Sequence, residues 1–400
     1  MDVLISGASV AGPTLAYWLH RYGFRVTVVE RAPALRKAGG HAVDLFAPAL
    51  DIVERMGLVD QVQDRRTGTE RIVVRREGAR RSATIDVGRL MGAISRRHVE
   101  IMRDDLGEIL HSATADDVEY VFGDSVASIS ADGGVTFERG PPRRFDLVIG
   151  ADGLHSTVRR LVFGTAATRW LGAYLAVASI PNDRELRDTM EGVIGVDRLA
   201  GTYSARHMPD ARALFLFRPA AELSYDHRDV AAQRRLLRAA FADLDGEVPR
   251  LLDEAERSDA FYFDSVTQLL LGDWCRGRVA LVGDAGYCPG PAVGGSTSLA
   301  VVGAFTLAGE LALARGDHAV AFPAYERELG DYVRGSRAFA VTMANRLVPR
   351  SRAQLGALIA GARLLTAVPA PLVRAMTRRG GRLGLHDTVR PVDYPALLGA

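Results

Sequence analysis

The stretch Asp2-Val3-Leu4-Ile5-Ser6-Gly7-Ala8-Ser9-Val10-Ala11-Gly12-Pro13, with Arg25-Val26-Thr27-Val28-Val29-Glu30 soon after it, decides the fold of this 400-residue chain. Asp2 to Ser6 is a short unbroken apolar run, the pattern of a strand buried on both faces of a parallel sheet. The loop that follows turns it into a helix, which Pro13 can open at the first helical position, where no backbone N–H is missed. Leu15, Ala16 and Leu19 give that helix an apolar side, and Gly23 stops it. A second strand then ends on Glu30. This strand, loop, helix, strand unit belongs to an α/β fold of the Rossmann type.

The loop departs from Gly-x-Gly-x-x-Gly because Ser9 stands at the second glycine. Its logic survives: Gly7 permits the tight turn and Gly12 lets helix and strand approach. The backbone of Ser9, Val10 and Ala11 can meet a pyrophosphate at the helix N-terminus. Glu30, 18 positions after Gly12, can accept hydrogen bonds from a ribose 2′-hydroxyl and would repel a 2′-phosphate. The nucleotide at this loop is therefore expected to be an adenosine such as that of FAD or NAD.

Working outward, 48% of residues are hydrophobic and 24% charged, with 50 basic against 48 acidic side chains. This is an ordinary globular composition with no large basic field, so nucleic acid is not an expected partner. Lys37 is the only lysine. A Walker-type loop or a Schiff-base lysine could exist nowhere else. Cys275 and Cys288 fit no short Cys-pair motif, which argues against structural zinc and a dithiol centre, so no metal is expected. The N-terminus runs straight into strand-like sequence, which points to the cytoplasm. The apolar stretch from Leu355 to Val373 carries Arg363, Pro369 and Pro371 and reads as packed terminal helices, not a membrane span.

Farther along, residues 48–66 read as helical, Glu70 to Val87 as a hairpin, and Ser95 to His111 as a helix. Strand signals lie at Glu119 to Phe122, Val126 to Ser130 and Leu147 to Ile149. An alternating, aromatic stretch from Trp170 to Phe217 reads as an antiparallel sheet. A helix near Val230 to Leu244 and a strand from Phe261 to Leu271 follow it. The strand Val279 to Val282 enters a Gly/Pro-rich loop and then a long small-residue helix after Ser296. Everything beyond about Asp331 reads as helix.

Three further segments narrow the nucleotide. Leu147-Val148-Ile149-Gly150-Ala151-Asp152-Gly153-Leu154-His155-Ser156 couples a buried strand to an Asp-Gly turn. Val279-Ala280-Leu281-Val282-Gly283-Asp284-Ala285 ends a strand on an acid able to bind a polyol. Val99-Glu100-Ile101-Met102-Arg103-Asp104-Asp105-Leu106 reads as a helix start with an arginine.

Together with the opening loop and Glu30-Arg31, these segments resemble the fingerprints of the single-component FAD-dependent monooxygenases related to para-hydroxybenzoate hydroxylase. The chain is most similar to the short branch with tetracycline-degrading and polyketide-tailoring members. The resemblance spans residues 1 to 350. It implies a Rossmann-like FAD-binding domain of the three-layer ββα type (1–68, 88–168, 272–340), an inserted antiparallel β-sheet substrate domain (69–87, 169–271) and a C-terminal helical region (341–400). By position, it implies that Glu30 and Arg31 hold the adenosine and Arg103 the phosphate and ribityl region. Asp284 would take a ribityl hydroxyl, and Asp152 would serve the turn for FAD and nicotinamide nucleotide. Asp44 would lie near the flavin, and Arg36 would meet NADPH. Gly294-Gly295-Ser296 would bring backbone N–H groups to the flavin's pyrimidine edge, and Pro291 would belong to the same cofactor-binding loop. Ser296 or Thr297 would cap the next helix, whose positive end would stabilise the reduced flavin. Relatives often have histidine after Gly-Asp-Ala, where this chain has Gly286-Tyr287.

The implied chemistry is flavin-centred. NADPH or NADH reduces FAD, O₂ gives a C4a-hydroperoxide, and oxygen passes to an aromatic or polyketide-like substrate. No catalytic side chain is named. His41 reads as structural, Cys288 as a small buried thiol, and Tyr287 could face flavin or solvent. Of Trp170, Tyr174, Tyr203, Phe215, Phe217, Phe261, Tyr262 and Phe263, about half should be core and the rest pocket lining. Halogenation lacks its lysine and disulfide reduction its cysteines. Epoxidation, Baeyer-Villiger oxidation, an oxidase, an ene-reductase and a non-catalytic redox sensor remain as alternatives.

Overall fold

The computed structural model describes residues 1–35, 39–92, 95–291, 295–367 and 385–394. The chain is a mixed α/β protein with a Rossmann-like sheet and a second, larger sheet. In the first, Cys275–Arg276, Val279–Leu281, Leu147–Gly150, Asp2–Ser6, Arg25–Glu30 and Glu119–Phe122 lie side by side. All neighbours are parallel except the first pair. Val3, Leu4, Ile5, Leu147, Val148 and Ile149 are fully buried, as strands covered on both faces must be. Helix Ala11–Arg21 and helix Ser296–Leu313 pack together over this core, and Trp18 meets Phe305 edge to face at 4.8 Å. A small antiparallel sheet, Val126–Ile129, Gly134–Phe137 and Arg143–Arg144, buries Val126 and Val135 in the same core.

Helix Ser296–Leu313 is long and apolar enough to span a membrane by length and composition, yet 78% of it is buried inside the protein. The absence of a polar face marks a core helix here.

The second sheet has the order Phe261–Leu269, Thr168–Pro181, Asp210–Phe217, Arg198–Tyr203, Thr189–Ile194, Arg71–Arg76, Ser82–Asp86. It departs from the purely antiparallel expectation at one pair, because Thr189–Ile194 runs parallel to Arg71–Arg76. Those strands come from stretches more than a hundred residues apart, so no hairpin forces them antiparallel. One face buries Tyr174, Phe215, Phe217 and Phe263 against helices Val230–Phe241 and Val248–Arg257. Leu175, Val177 and Val266 on the other face meet Ala340 and Ala344 of the long helix His318–Leu347.

Three expectations are corrected. Residues 95–111 are not one helix: His98–Met102 is a strand paired antiparallel with Ala42–Phe46, and the helix is Arg103–Ser112. Alternation explains it, since Val99 and Ile101 are buried while His98 and Glu100 are half-buried. Helix Ala11–Arg21 begins two residues before Pro13, which still falls in the first turn, where the N–H has no intrahelical acceptor. The C-terminal region is helical over Arg352–Ala367 and Leu385–Thr388, but residues 389–394 belong to no helix.

Candidate active site

The ends of the parallel strands carry the loops singled out from the sequence. Gly7 has φ +111°, and a Cβ there would lie 2.5 Å from the Ala151 carbonyl oxygen. A Cβ on Gly12 would lie 1.9 Å from the Gly7 oxygen, so no side chain fits at either place. Val10 precedes the helix and Ala11 begins it, both buried. Glu30 closes the loop from below: its Oε2 accepts from the Ala8 N–H and its Oε1 from the Ala32 N–H, both at 2.9 Å. Each oxygen keeps a lone pair for a further donor. Arg31 beside it is exposed.

Arg103 enters from the first turn of its helix and donates to the Ser9 Oγ from Nε (3.1 Å) and Nη2 (2.9 Å). The serine at the second glycine position therefore anchors a cation over the loop. Asp104 and Asp105 in the same turn complement the helix's positive end. Asp284 follows Gly283, whose φ is +65° and where a Cβ would sit 3.2 Å from that of Ala11. Burial raises the Asp284 carboxyl's pKa, while the Arg103 charge and a hydrogen bond with Cys288 oppose the rise. Tyr262, from the second sheet, joins this group. Burial pushes its phenol far up, and the charges of Asp264, Arg103 and Asp284 act on it. Its ring lies 5.2 Å from that of His41.

The loop before Ala42–Phe46 is fastened from three directions. Gly40 N–H donates to Asp104 at 2.6 Å, its carbonyl accepts from the buried Arg212 at 3.1 Å, and Ala42 N–H donates to Tyr203 at 2.9 Å. Asp44 pairs with His98 at 2.7 Å. Burial disfavours the His98 imidazolium, but Asp44 and Glu100 outweigh it and raise the pKa.

Other sequence candidates stand elsewhere or do different work. Asp152 is consumed locally, since it accepts from Ser156 Oγ (2.5 Å), Thr157 N (2.8 Å) and Val158 N (3.1 Å) at the start of helix Thr157–Phe163. Neither Ser296 nor Thr297 caps its helix. Gly295, at φ +93°, is the capping residue and no side chain accepts there. The hydroxyl at work is Ser298, which accepts from Phe46 N at 2.9 Å and donates to the Asp44 carbonyl at 3.1 Å. Tyr287 faces neither flavin nor solvent: it is fully buried, accepts from the Tyr325 hydroxyl at 3.0 Å and packs edge-on to Trp274. Cys288 is a buried free thiol. Pro291 is half-buried. Arg36, Gly294 and the lone Lys37 lie outside the described residues.

Sequence reasoning passed over Asp264. Its side chain, 12% exposed, sits 3.4 Å from His155 Nε2, and His155 stacks on His227 at 4.4 Å. This contact joins the Asp-Gly turn of the first sheet to the second sheet, and alternation with Tyr262 was its only signal. Among the described residues no group of three or more His, Cys, Asp or Glu side chains could hold a metal ion.

A family described as FAD binding domain matches residues 1–340. An uncharacterised protein of Mycobacterium tuberculosis is 45% identical over 338 residues, covering 83% of this chain and 90% of that protein. A flavin-dependent monooxygenase of Legionella longbeachae is 39% identical over 348 residues, covering 85% and 88%. The crystal structure of tetracycline destructase Tet(51) matches with a TM-score of 0.84 and 34% identity, covering 98% of this chain and 99% of that one. By sequence and by fold, the chain belongs to the FAD-binding family of flavin-dependent monooxygenases.

Proposed function

We propose that this enzyme takes electrons from NADPH or NADH and inserts one oxygen atom from O₂ into an aromatic or polyketide-like small molecule. One observation carries the reading. Three stretches distant in sequence, the Gly7–Gly12 loop, Arg103 and Gly283-Asp284, converge at the C-terminal ends of one parallel sheet, where open α/β sheets bind ligands.

The residues present suit FAD. Glu30, with Arg31 next to it, would hold the adenosine ribose. The glycine cradle and the N-terminus of helix Ala11–Arg21 would take the pyrophosphate. Arg103 and Asp284 would meet the phosphate and ribityl hydroxyls, and the start of helix Ser296–Leu313 would offer positive potential to the ring system. When bound, FAD supplies the redox chemistry and the activation of oxygen. The protein's part is to place it, exclude water and orient the substrate. We assign 1–68, 88–168 and 272–340 to cofactor binding, 69–87 and 169–271 to the substrate, and 341–400 to a helical cover. The aromatic residues of the second sheet divide between core and pocket. Tyr174, Phe215, Phe217 and Phe263 belong to the core, whereas Tyr262 reaches the cofactor loops. Similarity to a protein named a tetracycline destructase supports a fused-ring, oxygen-rich substrate.

The test is the flavin spectrum of the purified protein, followed by NAD(P)H oxidation and O₂ uptake across a panel of phenols and polyketides. Stimulated turnover with label from isotopic dioxygen in the product is expected. Absence of flavin-dependent NAD(P)H oxidation with every compound would sink the reading and favour a sensor.

A further inference from the structure

The longest strand of the second sheet, Thr168–Pro181, breaks step with its neighbour Phe261–Leu269. The register shifts between Trp170 and Tyr174, so residues 171–173 stand against Val266 alone and bulge out of the ladder. Gly172 takes φ +84° there, and a Cβ on it would lie 2.2 Å from Arg218 Nη1. The bulge is built around that guanidinium. Arg218, its side chain 10% exposed, donates from Nη1 to the Leu171 and Gly172 carbonyls at 3.3 and 2.6 Å. Its Nη2 donates to the Ala344 carbonyl of the long helix His318–Leu347 at 3.1 Å. The Trp170 indole N–H spans the bulge to the Ala173 carbonyl at 3.2 Å. A distorted strand is thereby pinned to a helix, and a cleft of about 330 Å³ lies between them. Small-molecule sites begin at about this size.

The lining has one sign of charge. Trp170, Val341 and Ala344 give apolar walls, and the exposed side chains of Arg169, Asn345 and Arg350 give a polar rim with no carboxylate among the described residues. Arg198 and Arg238 each hold two acids, whereas neither Arg169 nor Arg350 is paired with an acid among the described residues. Arg350 spends one N–H on the Asn345 amide oxygen at 3.1 Å and keeps the rest of its planar fork. Arg218 adds a third positive charge behind the wall. Asp197, at 3.6 Å, is beyond hydrogen-bond reach of its Nε, which is buried without a partner. Burial lowers the Arg218 pKa and the Arg350 charge lowers it further, so the guanidiniums repel one another. A bound anion relieves that repulsion, and a flat ring on the anion fits the indole and the aliphatic walls. None of the cofactor loops contributes to this lining.

We propose that the cleft binds a small aromatic carboxylate, its acid group held by Arg169 and Arg350 and its ring against Trp170, at a site apart from the cofactor loops. The inference stands independently of the FAD reading.

It is tested by calorimetric titration of the purified protein, as isolated, with naphthoate and with the neutral naphthamide. Saturable one-to-one binding of the acid, about tenfold tighter than that of the amide, is expected. Arg169→Gln and Arg350→Gln should each weaken the acid about three- to tenfold, and the double variant should bind acid and amide alike. Both side chains are exposed, so these variants should fold, and melting curves check it. Should the double variant not fold, the single ones decide. Arg346→Gln removes the same charge from an exposed position outside the lining and should leave affinity within about twofold. Failure of the acid to bind, equal binding of acid and amide by the wild-type protein, or an equal loss in Arg346→Gln would overturn the proposal. Undiminished binding by the double variant would also overturn it and place the acid elsewhere on the protein.

Discussion

Arg103, the first residue of helix Arg103–Ser112, donates two hydrogen bonds to the Ser9 hydroxyl, at 3.1 and 2.9 Å. The serine that breaks the glycine pattern is thus the anchor of a cation held over the phosphate-type loop. Burial raises the Asp284 pKa and the Arg103 charge opposes that rise, so the loop, the arginine and the acid act as one electrostatic group. Removing the guanidinium takes away charge-assisted bonds of about 1.5–3 kcal/mol. Arg103→Ala should therefore bind FAD about 10- to 100-fold more weakly, measured by fluorescence titration of the apo protein. Ser9→Gly should bind FAD within a few-fold of wild type, because the backbone cradle remains.

Asp284→Ala should also lower FAD occupancy, since no other acid stands at the end of Val279–Leu281. Asp284→Asn keeps one acceptor oxygen and relieves the burial of charge, so it should retain more flavin than alanine does. Purification of the alanine variant with a full yellow complement would remove Asp284 from the cofactor site.

The glycines offer a sharper contrast. Gly12→Ala puts a Cβ 1.9 Å from a backbone oxygen that cannot move without displacing Gly7 and Ala151. It should destabilise by more than about 4 kcal/mol or prevent folding. Gly23→Ala meets nothing within 4 Å and suffers only its φ of +83°, about 1–2 kcal/mol. Thermal melting of the two apo variants separates steric from conformational cost, and similar losses would refute the argument.

These sites differ in how far the sequence reveals them, and the reason is range. Gly7, Gly12 and Glu30 belong to one strand, helix, strand unit, so spacing alone places them together. His98–Met102 was hidden because its charges at alternate positions suit a helix as well as a half-buried strand. Only its partner Ala42–Phe46, distant in sequence, makes it a strand. The same applies to side-chain pairs such as Asp44 with His98 and Asp264 with His155, which local pattern cannot announce. At Gly295 the helix start was legible but its chemistry was not. A positive φ took the capping position, and Ser298, not Ser296, became the stitch to the neighbouring strand.

His386, buried on the short helix Leu385–Thr388 with its ring stacked on Phe46, gives the molecule a pH dependence whose sign can be worked out. Its folded pKa, about 4, lies below the ordinary value of 6.5, so between these limits the unfolded chain binds a proton that the folded one refuses. Stability from the neutral, docked ring is fully present above pH 6.5 and is lost as pH falls toward 4. A shift of this size corresponds to about 3 kcal/mol. Asp387, close in sequence, and Asp44, across the Phe46 stack, favour the charged ring, but burial outweighs both. Melting temperatures measured from pH 7.5 to 4.5 should therefore fall more steeply for the wild-type protein than for His386→Phe, which has no proton to take up. Parallel slopes for the two proteins would show that the C-terminal segment is held by its other contacts, at Ser95, Arg96 and Glu310, and that the imidazole does not govern its docking.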